Sequence, residues 1–185
     1  VTSGQALAAQ LTADRDCSGL YIAASPALRE VLLDAGLIES DRPSHVVAGI
    51  DEDMPISRLS RALQHLNDGA RLVASNADPA VPTATGLAPE AGAVVAFLER
   101  ASGQTAQVAG KPNPAIFELA LARLRLDARD VLMIGDTLDT DILGANRAGI
   151  RSVLVRSGNP PDSDSHAIPD FSLDDLASLR EHLGL

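Results

Sequence analysis

Cysteine occurs once, at Cys17, which excludes an internal disulfide and any multi-cysteine metal site and makes a cytoplasmic, reducing compartment the expectation. Cys17 itself reads as an inert small hydrophobe. Tryptophan is absent and aromatics make up 2% of the chain, so little is available for stacking on bases. With a formal net charge of −10, that scarcity argues against a nucleic-acid partner. No apolar run approaches the roughly 20 residues of a membrane-crossing helix. The longest, around Ala91 to Leu98, is a helix or strand by its length, and a soluble protein without a membrane partner is expected. Lysine is as scarce as cysteine: every other basic residue is arginine, and Lys111 stands alone. That position reads as one that uses a compact ammonium rather than a planar guanidinium, although an arginine-biased composition alone would also leave a lone lysine.

What is present is α/β patterning. Thr2 or Ser3 is an N-cap for a helix ending near Leu11. Gly19 to Ala23 is an apolar strand, and Ser25-Pro26 opens a helix stopped by Gly36. The unit repeats with a strand at Val46 to Ile50, a helix at Ser57 to Leu66 and a strand at Arg71 to Ala74. Asn76 to Pro82 reads as a turn-rich loop where α/β folds place ligands, or as an ordinary surface turn. A helix from Gly92 to Arg100 follows, with Ala101 to Gln104 as a hinge. Beyond it the pattern gives strands at Gln107 to Gly110, Val131 to Ile134 and Ser152 to Val155. Helices are expected at Pro114 to Leu124, Ile142 to Ala148 and Leu173 to Leu183, with a polar loop from Gly158 to Ser165. Such alternation predicts a parallel sheet, and the apolar run Val131 to Ile134 predicts a strand buried on both faces. His45, His65, His166 and His182 have no metal-ligand spacing and read as loop or helix-surface residues.

Two loops carry chemistry. Gly135-Asp136-Thr137-Leu138-Asp139-Thr140-Asp141 puts three carboxylates at the end of a strand, an oxygen set suited to a hard cation such as Mg²⁺. A solvated acidic loop capping the next helix is the plainer alternative. Gly110-Lys111-Pro112-Asn113-Pro114 sets an ammonium before a helix N-terminus, where both would meet phosphate oxygens. An exposed lysine in a turn is its plain alternative. Together the two loops describe a site for Mg²⁺ and phosphate better than either does alone.

The runs GKPNPAIFELAL, VLMIGDTLDTDILGANRAGI and SVLVRSG resemble motifs III and IV of the haloacid dehalogenase superfamily. The likeness is to its NagD, phosphoglycolate, glycerol-3-phosphate and pyridoxal phosphatase subgroup, and it extends through LVASNADPAVP and YIAASPALREVLLDAG to the closing PDFSLDDLASL. It implies a Rossmannoid three-layer α/β core, incomplete in these residues, with an inserted α/β cap. Residues 1–16 would be a core helix, 17–104 the cap that selects substrate, and 105–185 the C-terminal half of the core. It further implies a Mg²⁺-dependent hydrolase of small phosphorylated metabolites working through an aspartyl-phosphate, with homodimerisation through the cap. By motif, Asp136 would ligate Mg²⁺, Asp141 would bind the metal through water or orient the loop, and Lys111 would bridge nucleophile and phosphate. Asp139 receives no role. Asn76 and Asp78 would face the substrate, and Val81 near the position of a histidine in the pyridoxal and nucleotide enzymes weakens those two substrate choices.

The resemblance places the D-x-D-G-T nucleophile motif and a T-N-N stretch upstream of Val1, so the working protein is expected to be longer and these residues alone inactive. The chain opens without methionine, and a removed targeting segment stays open. Asp51-Glu52-Asp53 has the outline of a D-x-D after a strand, but Met54-Pro55 replaces Gly-Thr, and an exposed acidic turn is the better reading. The strand at Val131 would lie beside the missing first strand and present an unpaired edge. A non-catalytic binding or dimerisation module is the alternative from another class. Phosphotransfer or dehalogenation on the same fold is a third reading.

Overall fold

The computed structural model describes residues 1–157 and 165–183. The polar loop expected from Gly158 therefore lies outside the described residues up to residue 164, as does the side chain of His182. The chain divides into two compact units, Val1–Gly110 and Lys111–Leu185. Among the described residues no helix is long and apolar enough to cross a membrane.

The first unit runs α1 (Ser3–Ala13), β1 (Leu20–Ala23), α2 (Pro26–Asp34), β2 (His45–Ala48), α3 (Ile56–Asn67), β3 (Arg71–Ala74), β4 (Ala80–Thr83), β5 (Gly86–Pro89), α4 (Ala91–Ser102) and β6 (Gln107–Val108). Thr2 caps α1 in a reciprocal box with Gln5, each side chain accepting from the other residue's backbone N–H at 3.2 Å. Ser25 caps α2, and Pro26 takes the position where a missing N–H costs nothing. Strands β1, β2, β3 and β6 form a parallel sheet in that order. Its β2 is buried at every position, as a central parallel strand should be. Ala62 and Leu66 of α3 and Val95 and Leu98 of α4 cover one face, packing on Ala23, Val46, Ala48, Leu72 and Ala74. Burying each leucine contributes on the order of 2 kcal/mol.

Three expectations change here. The Asn76 to Pro82 segment is not all loop, because Ala80–Thr83 pairs antiparallel with Gly86–Pro89. Pro82 and Pro89 disguise the hairpin, yet a two-stranded ribbon leaves alternate N–H groups unpaired and so tolerates proline. The segment expected as a hinge is stitched down instead. Gln104 donates through Nε2 to the carbonyls of Leu66 (3.1 Å) and Ala70 (3.0 Å), and its Oε1 accepts from the Leu72 N–H at 3.2 Å. Finally, the division drawn from the resemblance grouped residues 1–16 with 105–185. By contact α1 packs on α2 and β6 pairs with β3, so both fall in the first unit.

The second unit runs α5 (Pro114–Leu124), a 3₁₀ turn at Ala128–Asp130, β7 (Leu132–Gly135), a π-helical turn at Leu138–Ile142, α6 (Leu143–Ala148), β8 (Arg151–Val155), β9 (Phe171–Leu173) and α7 (Leu176–Leu183). The three strands are parallel in the order β7, β8, β9. Phe117, Ala145 and Ile150 make the core between α5, α6 and the sheet, with Val131 and Met133 against them. On the opposite face Val153 and Val155 meet Leu179 of α7. The expectation that Val131 to Ile134 is buried on both faces is corrected: β7 is only half-buried and Ile134 is 41% exposed. Among the described residues β7 has one hydrogen-bonded neighbour, β8, and its other edge is open.

Candidate functional site

Strand β7 ends at Gly135, and the chain then turns through Asp136 and Thr137 into the π-helical turn. That wide turn folds Asp141 back onto the strand end. Its carboxylate Oδ2 accepts from the backbone N–H of Asp136 (3.2 Å) and of Thr137 (3.3 Å). Gly135 permits the approach, since a Cβ there would lie 2.6 Å from both Cγ and Oδ2 of Asp141. The Asp141 side chain is only 6% exposed, and a carboxylate so removed from water needs compensation. Lys111 supplies it, with Nζ donating to Oδ1 at 2.6 Å while its own side chain stays 44% exposed. One carboxylate thus draws on three donors from two loops.

Lys111 owes its place to the start of α5. Asn113 caps the helix, accepting from the Ala115 N–H at 3.0 Å, and Pro114 begins it. The lysine is thereby held just ahead of a helix N-terminus, with its ammonium half in solvent and turned to the acidic loop. Asp136 is half-buried. Its Oδ1 accepts from the Thr137 hydroxyl at 3.3 Å, and its Oδ2 has no hydrogen-bond partner among the described residues. Asp139 is half-buried with no side-chain hydrogen bond among the described residues.

The donor chemistry suits a hard cation, being carboxylate oxygen without sulfur or imidazole. Among the described residues no three acidic, histidine or cysteine side chains converge into a metal cage. Asp141, expected as a second metal-binding group, has both oxygens engaged by Lys111 and the loop amides. Asp136 keeps the open oxygen. The chain therefore offers part of an oxygen donor set, with Asp136 as its available member.

Asn76 and Asp78 lie in the other unit, after β3. Ser75 Oγ donates to Asn76 Oδ1 at 2.9 Å, and Asn76 Nδ2 donates to Asp78 Oδ2 at 3.1 Å. The Gly92 N–H donates to the Asp78 carbonyl at 2.9 Å, fastening the loop to the start of α4. Asn76, with Ser25 and the half-buried Glu90, lines a cleft of about 250 Å³ at the carboxyl ends of the strands. The decoy aspartate Asp51 is used structurally, accepting from the Asp53 N–H and pairing with Arg58 at 2.7 Å.

His45 was missed from sequence. It is fully buried in β2 rather than in a loop or on a helix surface, because a histidine preceding Val46-Val47-Ala48 joins the same interior strand. Its Nδ1 is 3.0 Å from Ser44 Oγ, and its Nε2 is 3.4 Å from Asp14 Oδ2, near enough to attract but not aligned as a hydrogen bond. Burial, seconded by the Arg71 guanidinium, pushes the imidazole below its ordinary value of 6.5. Asp14 is held below the usual carboxylate value first by the Asp16 backbone N–H and also by Arg71 at 2.9 Å. His65 stacks obliquely on Tyr21, their ring centroids 4.8 Å apart, and His166 is exposed.

Comparison with known proteins agrees with this architecture. A family model described as HAD-hydrolase-like matches residues 108–179. The chain is 34% identical to an acid sugar phosphatase of Staphylococcus haemolyticus over 85% of its own length and 61% of the relative's. It is 42% identical to a D-glycerol 3-phosphate phosphatase of Mycobacterium tuberculosis, over 85% of its own length and 46% of the relative's. These residues thus span about half to three-fifths of those curated relatives. The 4-nitrophenylphosphatase structure from Thermotoga maritima superposes with a TM-score of 0.87 at 30% identity, covering 98% of this chain and 71% of that one. A Mycobacterium tuberculosis glycerol phosphate phosphatase in complex with magnesium gives a TM-score of 0.87 at 36% identity, covering 97% and 57%. With a likeness that runs through both units and past the two loops, the chain belongs to the haloacid dehalogenase superfamily, within its NagD-like subgroup.

Proposed function

We propose that the protein to which these residues belong is a Mg²⁺-dependent phosphatase of small phosphate monoesters. The observation that carries the reading is the Lys111 ammonium, 2.6 Å from Asp141 and half in solvent, next to an Asp136 carboxylate with an open oxygen. Such a pair presents a fixed cation to a phosphoryl group beside an oxygen ligand for a hard metal. The relatives named for sugar, glycerol 3-phosphate and nitrophenyl phosphate hydrolysis support the same class.

In this reading Asp136 is the Mg²⁺ ligand that this chain contributes. Bound there, Mg²⁺ would supply positive charge that eases the approach of an anionic nucleophile to an anionic ester. Asp141 orients: it keeps Lys111 charged and aimed, and it shapes the loop through the two amides. Lys111 donates to the phosphoryl oxygens and holds them as charge builds. The nucleophile, an aspartate that forms and then loses an aspartyl-phosphate, is assigned to a D-x-D-G-T segment outside these 185 residues. Residues 17–104 act as the cap, with Asn76 and Asp78 toward the alcohol half of the substrate, and as the surface for homodimerisation. A cytoplasmic location with Cys17 reduced belongs to the same proposal.

The test is hydrolysis of an aryl phosphate by the longer protein, with Mg²⁺ and with EDTA, beside Asp136→Ala. Turnover that requires Mg²⁺ and disappears in the variant is expected. Turnover that survives EDTA would overturn the metal assignment. The 185-residue chain is assayed in parallel. Mg²⁺-dependent hydrolysis by it alone would place the nucleophile inside these residues and reopen Asp51.

A further inference from the structure

The two loops that meet at the Lys111–Asp141 pair are each the entrance to a helix: α5 begins at Pro114 and α6 at Leu143. What fixes the separation of those entrances is visible one turn further on. Gly144 is buried, and the ring of Phe117, 6% exposed, lies directly against it. A Cβ at position 144 would overlap the ring edge at Cε2, stand 2.6 Å from Cζ, and press on Pro112 Cα at 3.3 Å. Pro112 is the residue next to Lys111. The ring therefore fills the space between the first turn of α5 and the first turn of α6, with no atom to spare on the glycine side.

We infer that the Phe117–Gly144 contact is a positioning element for Lys111: it sets the spacing of the two helix starts, and through Pro112 the reach of the ammonium to Asp141. Packed interiors respond to an added methyl by moving a side chain or a backbone segment, and overpacking typically costs about 1–3 kcal/mol. Here the movable neighbours are Phe117 itself and the Pro112 backbone, and displacing either shifts the lysine that precedes them. Neither residue touches a reacting group, so the effect is transmitted rather than direct. The inference deepens the proposed function, since it rests on Lys111 as the phosphate-binding cation, but its readout requires no turnover.

The lone lysine makes the test selective. With lysine labelled at ¹³Cε and ¹⁵Nζ, the chain gives a single side-chain signal, that of Lys111. Asp141→Asn marks where that signal moves when the ion pair is lost. Gly144→Ala is expected to move it most of the way to that position in a chain whose circular dichroism remains native. Adding Phe117→Leu, which shortens the ring, is expected to return it to the wild-type position, and Phe117→Leu alone, which leaves a gap, to displace it again. Such reciprocal rescue is the sign of a direct contact rather than of general destabilisation. A folded Gly144→Ala chain with an unmoved signal would overturn the inference, as would a folded double variant that stays displaced. Should Gly144→Ala fail to fold, Phe117→Leu alone decides, and an unmoved signal there overturns it equally. Hydrolysis plays no part in these outcomes, so the inference and the phosphatase reading stand or fall separately.

Discussion

Asp141 at the end of β7 and His45 at the start of β2 are both ionisable side chains withdrawn from water, and the chain treats them in opposite ways. Asp141 is given a cation and two backbone amides, so its charge is the state the fold accommodates. His45 has a hydroxyl on one nitrogen and an unaligned carboxylate on the other, with a guanidinium nearby, so its neutral form is favoured. Burial alone does not mark a functional group. The completeness of the partners does, because only a fully satisfied buried charge can be kept ready for use.

The comparison can be broken most severely at Gly135. Gly135→Ala would drive a methyl into the Asp141 carboxylate. A loss of about 3 kcal/mol by urea denaturation is expected, since the colliding group is anchored at three points. Asp141→Asn comes next, at about 2 kcal/mol: the amide oxygen can still accept from the loop, but Lys111 loses its partner and turns to water. A change within error would mean that the pair is incidental.

Smaller still is the acid sensitivity from His45. Its folded value lies below 6.5, so between the two values the unfolded chain binds more protons. The stability present above pH 6.5 is therefore lost as pH falls through the folded value. Urea midpoints at pH 7.5 and 5.5 should separate in the wild type and draw together in His45→Gln. Asp14, also lowered, adds its own loss only as pH falls below 3.8. The smallest stability effect is expected at Asp136→Asn, within about 0.5 kcal/mol, because one of its oxygens is unpaired and the side chain supports nothing beyond Thr137. In the longer protein the same change should abolish Mg²⁺-dependent turnover, which separates function from folding at a single residue.

Legibility from sequence followed the range of the interactions involved. Capping at Thr2, Ser25 and Asn113 was readable or nearly so, since each cap bonds within three residues. The hairpin at Ala80–Pro89 was hidden because its prolines contradict the usual strand composition, and only pairing reveals that they fall where no N–H is needed. The half-buried β7 differed from its apolar sequence because burial of a strand depends on what lies on each side of it, and apolarity records only its capacity to be buried.

By itself the sequence determined the alternation of strands and helices, the two chemical loops at strand ends and the singular place of Lys111. Each of these is set by local periodicity, turn chemistry or residue type. Only the tertiary structure decided that Lys111 and Asp141 are partners across 30 residues, that Asp136 and not Asp141 keeps an open oxygen, and that His45 is interior. The reason is physical: those facts depend on the π-helical turn folding Asp141 back over Gly135 and on the Phe117 ring seated against Gly144. Neither contact exists until the sheet and its helices have brought the two loops together.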